Sequence, residues 1–190
     1  IAHASKMATE YLLSDEAFLL SGKINGAATA KGQAHNENFA KHLTAMGEPY
    51  ESFDAKQMRE ITGSSYYQGG LFTPGTAMIQ PAMYIRGVTH GLRQDGVLIF
   101  ENSPVTALNN DGNWIVETPQ GQVSSPRVIL AVNGHLNSFG YAKSRLMHVF
   151  TYASMTRALT PQEICKLGGN PVWALTPADP VGTTVRRISG

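Results

Sequence analysis

Thiols and net charge are both scarce in this 190-residue sequence. Its single cysteine, Cys165, excludes an intrachain disulfide, a cysteine-based zinc site and an iron–sulfur cluster. A lone thiol fits a reducing, cytoplasmic compartment. Charged residues make up only 15%, and 15 basic against 14 acidic side chains leave a net charge of +1. No basic surface is therefore expected for nucleic acid or an anionic membrane. Residues 128–132 are the longest aliphatic run, far short of the ~20 residues that cross a bilayer. No G-x-G occurs, which excludes a dinucleotide fingerprint and a kinase-type glycine loop within the chain. Neither G-x-x-x-x-G-K-[ST], G-x-S-x-G nor H-E-x-x-H is present. His35 and His42 lie seven apart on a predicted helix, roughly 10 Å along its axis, too far to share a metal ion. They read as solvated helix residues, Cys165 reads as an inert structural thiol, and no metal is expected.

What is present points to a folded chain. Apolar residues reach 42%, enough for a core in a globule that buries roughly 70% of its unfolded surface. Helices are predicted over 3–13, 30–46, 54–62 and 81–95. The signals are apolar residues at helical spacing, Asp54 with Gln57 as a capping pair, Pro81 at a first turn, and Gly47, Gly63 and Gly96 as stops. Strands are predicted over 97–101, 105–109, 113–118, 122–124 and 127–132, with turns at Asn110-Asp111-Gly112 and Pro119-Gln120-Gly121. Val128-Ile129-Leu130-Ala131-Val132 reads as a strand buried on both faces. Residues 147–159 read as a long strand, and Thr160-Pro161-Gln162-Glu163 as a capping box opening a helix that stops at Gly168. Residues 183–188 read as a strand without an evident partner. With no initial methionine at Ile1, the chain reads as an internal piece of a longer protein. The pattern is α+β, one module interrupted by another.

Two segments carry candidate chemistry. Residues 68–81 are rich in glycine and end at a helix N-terminus, where backbone can approach a ligand. Residues 127–135 run from an apolar strand into Asn133-Gly134, and ligands of open α/β sheets lie beyond such strand ends. Read as ordinary structure, the first is a glycine-rich connection and the second a plain strand and turn.

Taken in order, 69–81, the helix after Pro81, 97–105, the hairpin ending at Thr118, and 128–134 resemble the middle of a flavin amine oxidase. The stretches Tyr66-Tyr67-Gln68-Gly69-Gly70 and 148–156 match as well. The sequence is similar to the D-amino-acid oxidase, glycine oxidase and sarcosine oxidase family, nearest its γ-glutamylputrescine oxidase-like branch. The resemblance implies an α+β, two-module flavoprotein of the glutathione-reductase-like kind: an α/β FAD-domain portion with a mixed-sheet substrate domain. It makes 1–80 and 140–190 substrate-domain parts and 81–139 part of the FAD domain. Val105, Ala131, Val132, Asn133 and Gly134 would then contact FAD, mostly through backbone. Tyr66, Tyr67, His148 and Tyr152 would line the substrate side, and Arg157, Arg186 or Arg187 could hold a substrate carboxylate.

The resemblance further implies oxidation of a C–N bond in a small amine or amino acid, with oxygen as acceptor and hydrogen peroxide as product. The family's glycine fingerprint is absent from this sequence, so the chain alone is expected to be inactive and to hold FAD weakly. A flavin dehydrogenase acting on a D-amino acid, or a binding scaffold without cofactor, are the alternatives.

Overall fold

A computed structural model describes residues 1–188. The chain divides into two compact units, Ile1–Val97 with the segment from Thr156 onward, and Leu98–Met155. The first unit opens with α1 (Ala2–Glu10), β1 (Phe18–Leu19) and β2 (Lys23–Ala27), then α2 (Ala30–Met46), β3 (Glu51–Asp54) and α3 (Ala55–Thr62). There follow β4 (Gly69–Thr73), β5 (Met78–Ile79) and α4 (Pro81–Gln94). The second unit holds β6 (Ala107–Asp111), β7 (Asn113–Thr118), β8 (Gly121–Ser125) and a 3-10 helix, Asn133–Phe139. The chain then completes the first unit with α5 (Pro161–Leu167), β9 (Trp173–Pro177) and β10 (Val185–Arg187).

Helix ends follow local chemistry. Thr29 caps α2 by accepting from Gly32 N at 3.1 Å, and Gly47 closes it in the left-handed conformation at φ 70°. Asp54 and Gln57 satisfy each other's backbone N–H at 2.8 and 2.9 Å, a complete capping box for α3. Gln80 accepts from Met83 N at 2.8 Å ahead of Pro81. Thr160 and Glu163 repeat the box at α5, and Arg157 forks onto both Glu163 oxygens at 2.9 and 2.7 Å.

The first unit is built on a five-stranded mixed sheet, in the order β10-β9-β2-β4-β3. Only β2 and β9 run parallel. Ile24 lies beside Leu175 across that parallel seam. With Met58 of α3 they form the core cluster, flanked by Phe53, Ile61, Tyr67, Phe72 and Trp173. A Cβ on Gly70 would overlap Met58 Sδ, so this face needs a glycine there. On the opposite face α2 approaches closely: Asn36 Nδ2 donates to Asn25 O at 2.8 Å, and Gln33 lies against Gly69. Helix α4 packs on α1 and, through its glycines, on the chain just after it. The Tyr11 ring occupies the space beside Gly91, and Leu13 that beside Gly87. Tyr11 Oη donates to Asp95 at 2.8 Å, and that bond pushes its pKa up to about 12. Tyr84 joins this contact, its Oη donating to Ala4 O of α1 at 3.0 Å and its ring lying 5.8 Å from that of Phe18, whereas Ile85 is exposed.

The second unit is an antiparallel meander, β6-β7-β8, with the two expected turns. None of its residues is buried. Here three sequence expectations fail. Residues 97–101, 127–132 and 147–159 form no strand, and Ile129 stands 91% exposed. A strand buried on both faces needs hydrogen-bonding neighbours and a covering layer. No described segment supplies either to these stretches. The opposite correction applies to 183–188. Its core, β10, has a partner, β9, which the sequence pattern did not disclose.

Two outcomes follow. Met58 is fully buried, so Met58→Ala should cost about 2–5 kcal/mol in urea unfolding. A cost within error of zero would deny that the Ile24–Met58–Leu175 cluster holds the sheet. The second concerns acid. Arg157 and the Thr160 cap lower the Glu163 carboxyl from 4.5 to about 2. The unfolded chain takes up that proton nearer 4.5, so the cap contributes fully above that pH and is lost as pH falls towards 2. Amide exchange in α5 should accelerate over that window, and Glu163→Gln should abolish the dependence.

Candidate functional site

The residues singled out by sequence fall in both units. In the second unit, Val132 (φ −105°) leads into Asn133 at φ 49°, the left-handed conformation that an Asn–Gly pair accommodates. This turn opens the 3-10 helix, with His135 N donating to Val132 O at 3.1 Å. Ala131 and Asn133 are exposed and Val132 and Gly134 half-buried, while Val105 is exposed at the entry to β6. His148 lies beside the turn. A Cβ built on Gly134 would sit 3.0 Å from His148 Cε1. The structure thus joins one expected cofactor position to one expected substrate-side residue. Tyr152 is exposed, with nothing packed over it.

In the first unit, Tyr66 and Tyr67 make an edge-to-face pair with centroids 5.1 Å apart. Tyr67 packs on the core cluster, and burial pushes its phenol above the ordinary range. Tyr66 is largely exposed. The three arginines have partners. Arg157 is held by Glu163, Arg186 Nη1 donates to Ile79 O at 3.0 Å, and Arg187 Nη1 donates to Gly168 O.

The sheet also assembles a polar cluster that sequence reasoning missed. Lys23 Nζ donates to Thr176 Oγ1 at 3.4 Å, and Thr176 Oγ1 donates to Asn25 Oδ1 at 2.9 Å. His35 of α2 is not simply solvated, since its Nδ1 lies 3.3 Å from Ala178 O and 3.7 Å from Asp179. His42 is exposed as expected. These residues, with Pro180, Gly182 and Thr184, border an open polar cavity of about 520 Å³. Residues 153 apart meet here because β9 pairs with β2. The strand β9 is a short apolar stretch flanked by prolines, and no sequence periodicity marks its neighbour. Among the described residues no group of three or more His, Cys, Asp or Glu could hold a metal ion, and no helix is long and apolar enough to cross a membrane.

The fit of FAD is judged on the residues themselves. The accessibility of Val105, Ala131 and Asn133, with Val132 half-buried between the last two, suits a group held through main-chain contacts. At Gly134 the space a side chain would fill is bounded by His148, so an approach there involves that ring too.

A mixed sheet with helices on both faces, joined in one chain to a meander and an Asn–Gly turn, makes this a mixed α and β fold. Glycine oxidase from Geobacillus kaustophilus shares the fold at a TM-score of 0.59 and 16% identity, over 68% of this chain and 36% of that one. The chain belongs to the FAD dependent oxidoreductase family, whose model matches residues 3–189. Mitochondrial dimethylglycine dehydrogenase of Rattus norvegicus is 42% identical over 64 residues, 33% of this chain and 8% of that protein. Gamma-glutamylputrescine oxidoreductase of Escherichia coli (strain K12) is 31% identical over 86 residues, 45% of this chain and 20% of that protein. The chain therefore spans a fifth or less of these relatives and about a third of the glycine oxidase.

The polar cluster yields a test of its own. Thr176→Val should cost about 1 kcal/mol. In an Asn25→Ala background most of that cost should vanish, as measured by a double-mutant cycle in urea. Strict additivity would mean the two side chains are not coupled.

Proposed function

We propose that this chain forms part of an FAD-dependent enzyme that oxidises a C–N bond of a small amine or amino acid. Family membership over residues 3–189 carries the reading, and the names of the relatives, which include an oxidoreductase of gamma-glutamylputrescine, support a substrate of that class. The net reaction consumes the amine, oxygen and water, and gives a carbonyl compound, the released amine and hydrogen peroxide. FAD, when bound, supplies the two-electron acceptor for the C–H bond next to nitrogen. Val105, Ala131, Val132, Asn133 and Gly134 hold it through their backbone. Residues 81–139 serve the cofactor, and 1–80 with 140–190 the substrate.

Tyr66, Tyr67, His148 and Tyr152 are the substrate-side groups. Tyr67, kept protonated by burial, is suited to donating a hydrogen bond rather than taking a proton. His148, against the Asn–Gly turn, orients that backbone. Arg157 is already committed to Glu163 and is the weakest of the three arginines as a carboxylate ligand. The enzyme works in the cytoplasm, and the chain alone is inactive.

The complete protein carrying this chain should purify with flavin absorbance and release peroxide when given amines. A colourless, well-folded product would refute the reading. Gly134→Val should lower the flavin content. In a His148→Ala background, which removes the ring that a larger side chain would strike, the loss should persist if the turn meets the cofactor. Full recovery of flavin there would reduce the effect to a clash with His148.

A further inference from the structure

The chain contains Asn-Gly twice, at Asn25-Gly26 and at Asn133-Gly134. Glycine leaves its own peptide nitrogen unhindered, so that nitrogen can attack the side-chain carbonyl of the preceding asparagine. Backbone freedom decides whether it does, and the fold treats the two pairs in opposite ways. Asn25-Gly26 lies inside β2, with β4 on one side and β9 on the other. Asn25 O accepts from Asn36 Nδ2 at 2.8 Å, and Asn25 Oδ1 accepts from Thr176 Oγ1 at 2.9 Å. Gly26 is buried, and its carbonyl accepts from Ala178 N at 2.9 Å. The Asn25 side chain reaches Gly26 N only if these bonds open, and such opening is rare in a paired central strand.

Asn133-Gly134 lies outside every strand. Asn133 is exposed, at φ 49°. The first hydrogen bond of the 3-10 helix starts one residue later, from His135 N to Val132 O. Among the described residues Gly134 N and the Asn133 side-chain amide have no hydrogen-bond partner. Nucleophile and target are both free. A base stands beside them as well. His148 Cε1 and Nε2 lie 3.0 and 3.3 Å from the point a Cβ on Gly134 would occupy. The ring therefore borders the attacking residue, within reach of its amide proton directly or through one water.

We infer that Asn133 is a self-modifying site, which deamidates by attack of Gly134 N with His148 as the base. A bond forms between Gly134 N and Asn133 Cγ, and the Cγ–Nδ2 bond breaks. His148 takes the proton from Gly134 N and passes it to Nδ2, which leaves as ammonia. Water then opens the cyclic imide. Addition at the side-chain carbonyl gives aspartate. Addition at the main-chain carbonyl gives isoaspartate, with the side-chain carbons now part of the backbone. Water is the only co-reactant, and either product puts a negative charge into the turn. The inference goes beyond the flavin reading and stands without it. It is tested on the chain with no flavin, so its failure would leave that reading intact.

The folded chain is incubated in neutral buffer and digested with trypsin for mass spectrometry. Residues 24–31 carry Asn25, and residues 128–143 carry Asn133. Fragment ions distinguish Asn133 from Asn137 in the second peptide, and an isoaspartate methyltransferase labels the isoaspartate product. Asn133 should convert at least about tenfold faster than Asn25. In urea, with the sheet unfolded, the two rates should approach each other. His148→Ala should slow Asn133 by roughly tenfold, and free imidazole should restore the rate. His135→Gln, which removes the imidazole next in sequence, should leave the rate unchanged. Equal conversion of the two asparagines in the folded chain, or an Asn133 that survives there while it reacts in urea, would overturn the site. An unchanged or faster reaction in folded His148→Ala, or an equal slowing by His135→Gln, would overturn the role of His148.

Discussion

The first unit depends on one pairing, the parallel seam between β2 and β9. Their residues are about 150 apart in sequence, yet Ile24 and Leu175 lie side by side. That contact closes the cluster on Met58, and it brings Thr176 to Asn25 and Lys23. Joining strands so distant costs loop-closure entropy that grows only slowly with length. Burying Ile24, Met58 and Leu175 together offsets it locally, at a few kcal/mol for large apolar side chains. The contacts of Lys23 and Asn25 with Thr176 in the polar cluster are laid out by that register. A slip of β9 by one residue would turn Thr176 to the core face and Leu175 away from it.

The second unit shows what happens where such a seam is lacking. Its meander satisfies its own backbone, because β6, β7 and β8 are joined by short turns. The apolar runs around it have no such partner and remain outside the sheet, although residues 128–132 are the most strand-like stretch in the chain by composition. Composition creates the demand for burial, and only a neighbouring layer can meet it. Asn133 keeps its left-handed geometry all the same, because that conformation needs only the local residue type.

The candidate residues were legible in the sequence as residue types, whereas most of their contacts were not. Asn133-Gly134 and Tyr66-Tyr67 stand out by residue type, and the family resemblance that gave them roles agrees with membership over residues 3–189. The approach of His148 to Gly134, the packing of Tyr67 on the core and the capture of Arg157 by Glu163 had no sequence signature. Each joins residues whose spacing follows no helical or strand period. Lys23 and Arg186 are a sharper case. Each looks like an ordinary surface cation until β9 sets Ala174 between them.

The sequence alone determined the local elements. The capping boxes at Asp54 and Thr160, Pro81 at the start of α4, Gly47 at the end of α2 and the two hairpin turns lie where the residues said. These interactions close within a few residues, so their chemistry is complete in the local chain. Tertiary structure alone decided which apolar runs became strands, which strand lay beside β2, and which side chains share a cavity. Those outcomes depend on hydrogen bonds and buried area supplied by residues far along the chain, and no local pattern encodes a partner that local interactions do not reach.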